Sequence, residues 1–485
     1  LRQTALYTEL KAHGTAVGLP SNKDMGNSEV GHNALGAGRI FDQGAKLVEE
    51  AIQSGALFNS SVWKETMGCN TLHLIGLLSD GNVHSHEKHL HSLLRQARQE
   101  GVERARVHIL LDGRDVAESS ALTYVDRLES VLSELGDYKI ASGGGRMMVT
   151  MDRYEADWEI VRLGWEAHVH GNARRFASAR EAIETFRAED PKLIDQYLPV
   201  FAVESGKTMA DGDAVIFFNF RGDRSIEISQ AFENDEFQGF DRGYRPNVQY
   251  AGMMQYDGDL QLPRRYLVTP PTIDLTFSEY LVNNQVTQWA CSETQKFGHM
   301  TYFWNGNRSG MFDKAYEQYV EIQSDNVPFD KAPQMKAKEI TDAAIKAIQT
   351  GQWQLLRLNY ANGDMVGHTG NLAASITAVE VLDRELNRLM QTVSAAGGIL
   401  LVTADHGNCD EMYLLNKQGE FKLTEDGKRQ ARTSHTLNPV PLLIQGAPQG
   451  IALRPGGRLS NLAATTLNLL GYDAPDDYDP TLLTN

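Results

Sequence analysis

Six short apolar runs, each cut off by a polar loop, constrain the fold of this chain more than any other feature. They are Thr71–Leu78 (TLHLIGLL), Arg106–Leu111 (RVHILL), Ala214–Phe220 (AVIFFNF), Leu355–Tyr360 (LLRLNY), Gly398–Thr403 (GILLVT) and Val440–Ile444 (VPLLI). Runs of this length suit strands buried on both faces, and amphipathic helical stretches lie between them. The most regular helix spans Leu372–Ala395. Its residues Ile376, Val379, Leu382, Leu386, Leu389 and Val393 recur at three- and four-residue spacing, and Asn371 is placed to cap it. Lys336–Thr350 has the same character. The alternation predicts an α/β protein on an open parallel sheet. No recognisable first strand precedes Ala16–Pro20 (AVGLP).

A length of 485 residues predicts two or three domains, and 41% hydrophobic with 22% charged residues is ordinary for a soluble globular chain. No apolar run approaches the ~18 residues of a membrane span. The net charge of -17 argues against nucleic acid or an anionic membrane as a partner. A small anionic substrate stays possible, provided that Arg and Lys are concentrated locally. Cys69, Cys291 and Cys409 are odd in number and far apart, which suits a reducing cytosol.

The loops after the runs are where the chemistry lies: "SDGNVHSH" after Leu78, "DGRD" after Leu111, "RGDR" after Phe220, "ANGDMVGH" after Tyr360 and "ADHGN" after Thr403. In open parallel sheets the ligand crevice forms at these carboxyl ends. Asp364 and His368 are spaced i, i+4, Asp405 and His406 are adjacent, and His435 sits in "SHT". Carboxylate and imidazole together suit Mn²⁺, Zn²⁺, Co²⁺ or Mg²⁺, although each residue singly also suits a loop cap or a core histidine. The set points to a metal site, with two ions favoured over one. Ser28, in "DMGNSEVGH", is then either a helix cap or a nucleophile activated by metal. Gly26 and Gly31 read as a turn that lets backbone approach metal and phosphate.

Arg114 beside Asp115, Arg146 with Arg153, and Arg221 with Arg224 form a second constellation. Guanidinium forks match carboxylate and phosphate geometry, so these arginines read as an anion site. Gly143–Gly145 is a weak phosphate-loop signal and better read as a flexible turn. In "HSHEKHLH" only His84, nearest the strand end, is kept. His86, His89 and His91 read as bystanders on a solvated helix.

The segments "MGNSEVGH", "LLSDGNVHSH", "LDGRD", "NFRGDR", "ANGDMVGH", "TADHGN" and "SHTLNPVPLL", in this order from about residue 16 to the end, resemble the cofactor-independent phosphoglycerate mutases. That family in turn resembles the alkaline phosphatases in its metal-binding domain. The resemblance implies two α/β domains: a discontinuous phosphatase-like domain at 1–44 and 266–485, and an inserted transferase domain at 45–265. It implies one divalent ion on Asp364, His368 and His435, and a second on Asp405, His406 and Ser28, with Mn²⁺ first and Co²⁺, Mg²⁺ or Zn²⁺ as alternatives. It further implies Lys296 on the phosphoryl group, and His84, Arg114, Asp115, Arg146, Arg153, Arg221 and Arg224 on phosphoglycerate. Asp115 is implied as the proton shuttle. The activity expected is interconversion of 3- and 2-phosphoglycerate through a phosphoserine on Ser28, in a cytoplasmic monomer that needs no 2,3-bisphosphoglycerate. Two departures stand out. The family's amino-terminal Asp-Gly-x-Gly has no counterpart before Ser28, so a segment carrying it is expected in the natural chain. The step from Arg146 to Arg153 is one residue longer than in many members.

Overall fold

The strand Leu72–Leu78 is buried at every position and sits inside an eight-stranded sheet. The sheet belongs to a computed structural model that describes residues 5–153, 155–257, 260–271, 273–416, 418–424 and 427–484. Its strand order is Arg174–Phe176, Phe201–Val203, Asp137–Gly145, Arg104–Leu111, Leu72–Leu78, Ala214–Phe217, Gln249–Met254 and Tyr266–Val268. Every neighbouring pair is parallel except Asp137–Gly145 with Phe201–Val203. From Leu72–Leu78 the chain steps to Arg104–Leu111 on one side and later returns to Ala214–Phe217 on the other. That reversal of strand order is the switch point at which the loops diverge and leave a crevice. Helices Glu87–Gln99 and Ala121–Ser133 pack on this sheet.

The chain divides into two compact units. Gly44–Pro271 is contiguous and holds the eight-stranded sheet, and Leu1–Gln43 with Thr272–Asn485 forms the other. The second unit contains a parallel sheet in the order Glu317–Ile322, Gln288–Glu293, Leu355–Asn359. It also contains a mixed sheet in the order Leu400–Val402, Val440–Gln445, Leu6–Lys11, Gly457–Arg458. Helices Ala337–Thr350 and Leu372–Ala395 close one core over Gln288–Glu293, with Trp289, Cys291, Ile340, Ala344 and Leu389 packed together. The α/β class and the six apolar strands are as the sequence predicts. No helix among the described residues is long and apolar enough to cross a membrane.

Four expectations change. A first strand does precede Ala16: Leu6–Lys11 (LYTELK) pairs antiparallel with Val440–Gln445 and buries only Thr8 and Leu10 fully. Its alternation with charged residues hid it. The mixed sheet is largely antiparallel, not parallel. Helix Leu372–Ala395 keeps its predicted bounds and its Asn371 cap, but the face that it buries is Ala374, Ser375, Ala378, Val381, Glu385 and Leu389. Ile376 and Val379 stay about half exposed (51% and 50%). Finally, Gly143–Gly145 is no turn but the end of a strand, where a Cβ on Gly145 would lie 2.4 Å from the Gln196 carbonyl oxygen.

Candidate active site

In the Gly44–Pro271 unit, all seven predicted anion-site residues are at least nine-tenths buried: His84, Arg114, Asp115, Arg146, Arg153, Arg221 and Arg224. The tight turn after Arg104–Leu111 is built on Asp112, whose Oδ1 accepts the backbone N–H groups of Arg114 and Asp115 at 3.1 and 3.0 Å. The same oxygen takes Arg146 Nη1 at 2.8 Å, and Arg146 also pairs with Asp115. Across the crevice loops, Asp223 accepts Arg221 Nε at 2.9 Å and Arg153 Nη1 at 3.3 Å. Arg224 donates to the Met151 carbonyl. Five buried guanidiniums are thus gathered among Asp112, Asp115 and Asp223, in a chain that is acidic overall.

The electrostatics express that crowding of cations. Burial, then the neighbouring Arg153, pushes the Arg224 guanidinium well below its ordinary pKa. Burial, then Arg146 and Arg221, drives His84 far down, so its ring is neutral at working pH. Arg146 moves the other way: burial opposes its charge, but Asp115 and Asp112 hold its pKa up. An incoming anion relieves the repulsion within this set. Asp112 and Asp223 were not singled out from sequence, although both lie inside quoted motifs. The available signal was their nearness to arginine: Asp112 lies two residues before Arg114 in "LDGRD", and Asp223 lies between Arg221 and Arg224 in "RGDR". His89, expected on a solvated helix face, is buried and paired with Glu49 at 3.0 Å.

In the other unit, Ser28 opens the helix Ser28–Ala37, but the cap is Asn27, whose side chain accepts the Val30 N–H. The Ser28 hydroxyl is therefore not committed to capping. It lies 3.0 Å from His406 Nε2 and contacts Lys296 Nζ. Lys296, on a short helix after Gln288–Glu293, is itself 2.5 Å from Asp364 Oδ2. Burial disfavours the charge on Asp364, yet Lys296, His368 and His406 outweigh it and hold the carboxyl well below its usual range.

The remaining residues test whether a cation fits. His368 Nδ1 lies 2.6 Å from the Thr433 carbonyl oxygen, and His435 Nδ1 lies 2.7 Å from that of Gly26. Carbonyls only accept, so each Nδ1 donates a proton and each ring turns its Nε2 inward. The two Nε2 atoms are 3.0 Å apart, and Asp364 Oδ1 is 2.9 and 3.1 Å from them. Two imidazole nitrogens and a carboxylate oxygen thus converge, the atom types that hold a divalent ion. Among the described residues this is the one three-membered group of that kind. Asp405 and His406 come close to Ser28 but form no such group. Asp405 Oδ2 is buried without a hydrogen-bond donor, because His32 Nδ1, 3.2 Å away, donates instead to the Ser28 carbonyl at 2.8 Å. His32 and Asn408, which donates to Asp364 Oδ1 at 3.0 Å, went unnoticed in the sequence. His32 follows Ser28 by one helical turn, and that spacing was its only signal.

Gly26 and Gly31 do not form a turn towards a ligand. A Cβ on Gly26 would lie 1.9 Å from the Ala12 carbonyl oxygen, and one on Gly31 would lie 2.4 Å from that of Asp405. Gly31 is thus the point where the Ser28 helix meets the Asp405 backbone. Gly31→Ala improves helix propensity by about 1 kcal/mol, so any loss reports the clash alone. The expected result is an activity loss of about 100-fold, as for a displacement near 1 Å, with the melting temperature lowered by only a few degrees. Initial rates and calorimetry on the same preparation check it.

Buried guanidiniums in one unit, and in the other a serine hydroxyl against a lysine with a carboxylate–imidazole group, are the equipment of an enzyme that handles phosphoryl groups. Comparison with known proteins narrows the class. Residues 48–258 match the family model described as BPG-independent PGAM N-terminus. The chain is 56% identical to a probable 2,3-bisphosphoglycerate-independent phosphoglycerate mutase of Leptospira interrogans, across 98% of this chain and 90% of that protein. It is 52% identical to the Trypanosoma brucei brucei enzyme of the same name, with the same coverage. A solved Leishmania mexicana phosphoglycerate mutase, crystallised at low cobalt concentration, superposes with a TM-score of 0.98 at 50% identity, covering 100% of this chain and 91% of that one. The chain belongs to the 2,3-bisphosphoglycerate-independent phosphoglycerate mutases.

Proposed function

We propose that the protein interconverts 3-phosphoglycerate and 2-phosphoglycerate through a phosphoserine on Ser28. Ser28 Oγ releases its proton to solvent and attacks phosphorus, and the bond to the glycerate oxygen breaks. Protonated Asp115 gives its proton to that oxygen, and Lys296 lies against the transferring group. The freed glycerate stays on Arg114, Arg146, Arg153, Arg221, Arg224 and His84. Its other hydroxyl gives its proton to Asp115 and attacks the phosphoserine, which regenerates Ser28. Asp364, His368 and His435 would hold one divalent ion, Mn²⁺ foremost, and Asp405, His406 and Ser28 would hold a second; bound ions would supply the positive charge that eases loss of a hydroxyl proton and neutralises phosphoryl oxygens.

The observation that carries this reading is the gathering of five buried guanidiniums, Arg114, Arg146, Arg153, Arg221 and Arg224, in the strand-end loops of one unit. A plain metal-dependent phosphatase has no need to retain an alcohol, whereas a mutase loses its function if glycerate escapes between the two half-reactions. The same proposal makes the protein a cytoplasmic monomer, supported on the first point by three thiols that are all outside disulfides. The test is a coupled assay on the full-length protein stripped of metal, without 2,3-bisphosphoglycerate, with each divalent ion restored in turn. Mn²⁺ is expected to raise the rate by about 100-fold or more, with isomerisation far ahead of phosphate release. Phosphate release that keeps pace with isomerisation would establish a hydrolase instead.

A further inference from the structure

A line of buried polar side chains crosses the eight-stranded sheet and plays no part in the chemistry above. Asp213, His73, His108 and Ser142 stand on or beside four successive strands, and His168 and Thr150 continue the line beyond them. All six are at most 1% exposed. The links are His73 Nε2 to Asp213 Oδ2 at 3.3 Å, His73 Nδ1 to His108 Nε2 at 3.0 Å, and His108 Nδ1 to Ser142 Oγ at 2.7 Å. Ser142 Oγ then meets His168 Nδ1 at 2.7 Å, and His168 Nε2 meets Thr150 Oγ1 at 2.9 Å.

The carboxylate fixes the direction of every link. Asp213 can only accept, so His73 donates from Nε2 and accepts at Nδ1. His108 must then donate from Nε2 and accept from the Ser142 hydroxyl. Ser142 in turn accepts from His168 Nδ1, which leaves His168 Nε2 as an acceptor. The line closes only if Thr150 donates its hydroxyl proton. Burial pushes all three histidines down, His168 to about 3, so the neutral tautomers persist at working pH.

Thr150 is no ordinary terminus. Its φ is +67°, a left-handed conformation that a β-branched residue rarely adopts. Its backbone N–H is held by the Ile160 carbonyl at 2.8 Å, and a Cβ on Gly164 would lie 2.0 Å from its hydroxyl. The next residue, Met151, presents the carbonyl that receives Arg224, and Arg153 follows two residues later.

We propose that Thr150 is a positioning residue for phosphoglycerate binding, held in its left-handed turn by the one-way hydrogen-bond line from Asp213 so that the Met151 carbonyl and Arg153 set the anion site around Arg224. The proposal rests on the functional reading above. Its test is calorimetric titration of the full-length protein with 3-phosphoglycerate, together with kcat and KM, for Thr150→Val, Thr150→Gly and Thr150→Ser. Valine keeps the shape but cannot donate; glycine meets the left-handed backbone without strain but cannot donate; serine donates. Affinity is expected to fall about tenfold in the valine and glycine variants and to stay within about twofold of wild type with serine, while kcat at saturation changes little. Should valine prevent folding, the glycine variant decides alone. Unchanged affinity in a folded glycine variant, or a serine variant as weak as valine, overturns the inference. Failure of the wild-type protein to bind 3-phosphoglycerate overturns the functional reading instead.

Discussion

Ser28→Ala is expected to lower mutase turnover by about 10⁴-fold or more, the scale on which nucleophile deletions act, and to abolish transfer of ³²P from labelled substrate to the protein. The structure makes the experiment clean. Ser28 is 3% exposed, so alanine leaves little new space to fill, and alanine is the best residue for the first turn of a helix. The cap resides on Asn27, so the helix keeps its start. Among the described residues the hydroxyl's polar partners are Lys296 and His406, both of which keep other polar neighbours: Asp364 for Lys296, and Asp405 at 3.6 Å for His406. Melting should therefore shift by no more than a few degrees. Turnover that survives the loss of labelling would end the phosphoserine mechanism and leave Ser28 a structural residue.

The second large effect is expected from Asp364→Asn. Oδ1 of Asp364 faces both imidazole Nε2 atoms and accepts from Asn408, while Oδ2 receives Lys296. An amide removes the negative charge that makes this group attractive to a cation, and it leaves the Lys296 ammonium buried without its counterion. About one equivalent of metal should be lost on dialysis, as measured by elemental analysis. The rate should fall by about 10³-fold, with partial recovery in excess Mn²⁺. The cost in stability, on the order of 3 kcal/mol for a buried pair broken on one side, should appear in the melting temperature. Full metal content with a wild-type rate would remove Asp364 from the ligand set.

Much of the architecture was legible because buried strands are apolar throughout and reactive residues cluster where they end. The 372–395 helix shows the limit of that logic. Its bounds follow from local capping and propensity, but its buried face uses Ala374, Ser375 and Ala378, and a search for large apolar residues selects Ile376 and Val379 instead. Small residues go inside where elements approach closely: Ala374 and Ala378 pack with Val366, Phe329 and Met335, which the helix's own sequence does not reveal. Leu6–Lys11 was invisible for a similar reason: what makes it a strand is Val440–Gln445, far away in sequence. In the sites, cations and metal-type ligands announce themselves by residue type. The groups that aim them, Asp112, Asp223, His32 and Asn408, look like ordinary loop residues until distances are known.

The pairing of Leu6–Lys11 with Val440–Gln445 also dictates a timetable for biosynthesis. Every strand partner in the 44–271 unit lies within that segment, so its sheet can be complete once about residue 271 has left the ribosome. Leu6–Lys11, made before that sheet, waits for its antiparallel partner until Val440–Gln445 appears. At roughly 5–20 residues per second that wait lasts on the order of ten seconds or more after the inserted unit is finished. At its start Lys296, Asp364 and His406 are all still to be made. The unit that holds the buried arginines can thus be assembled before Ser28 has any of these neighbours.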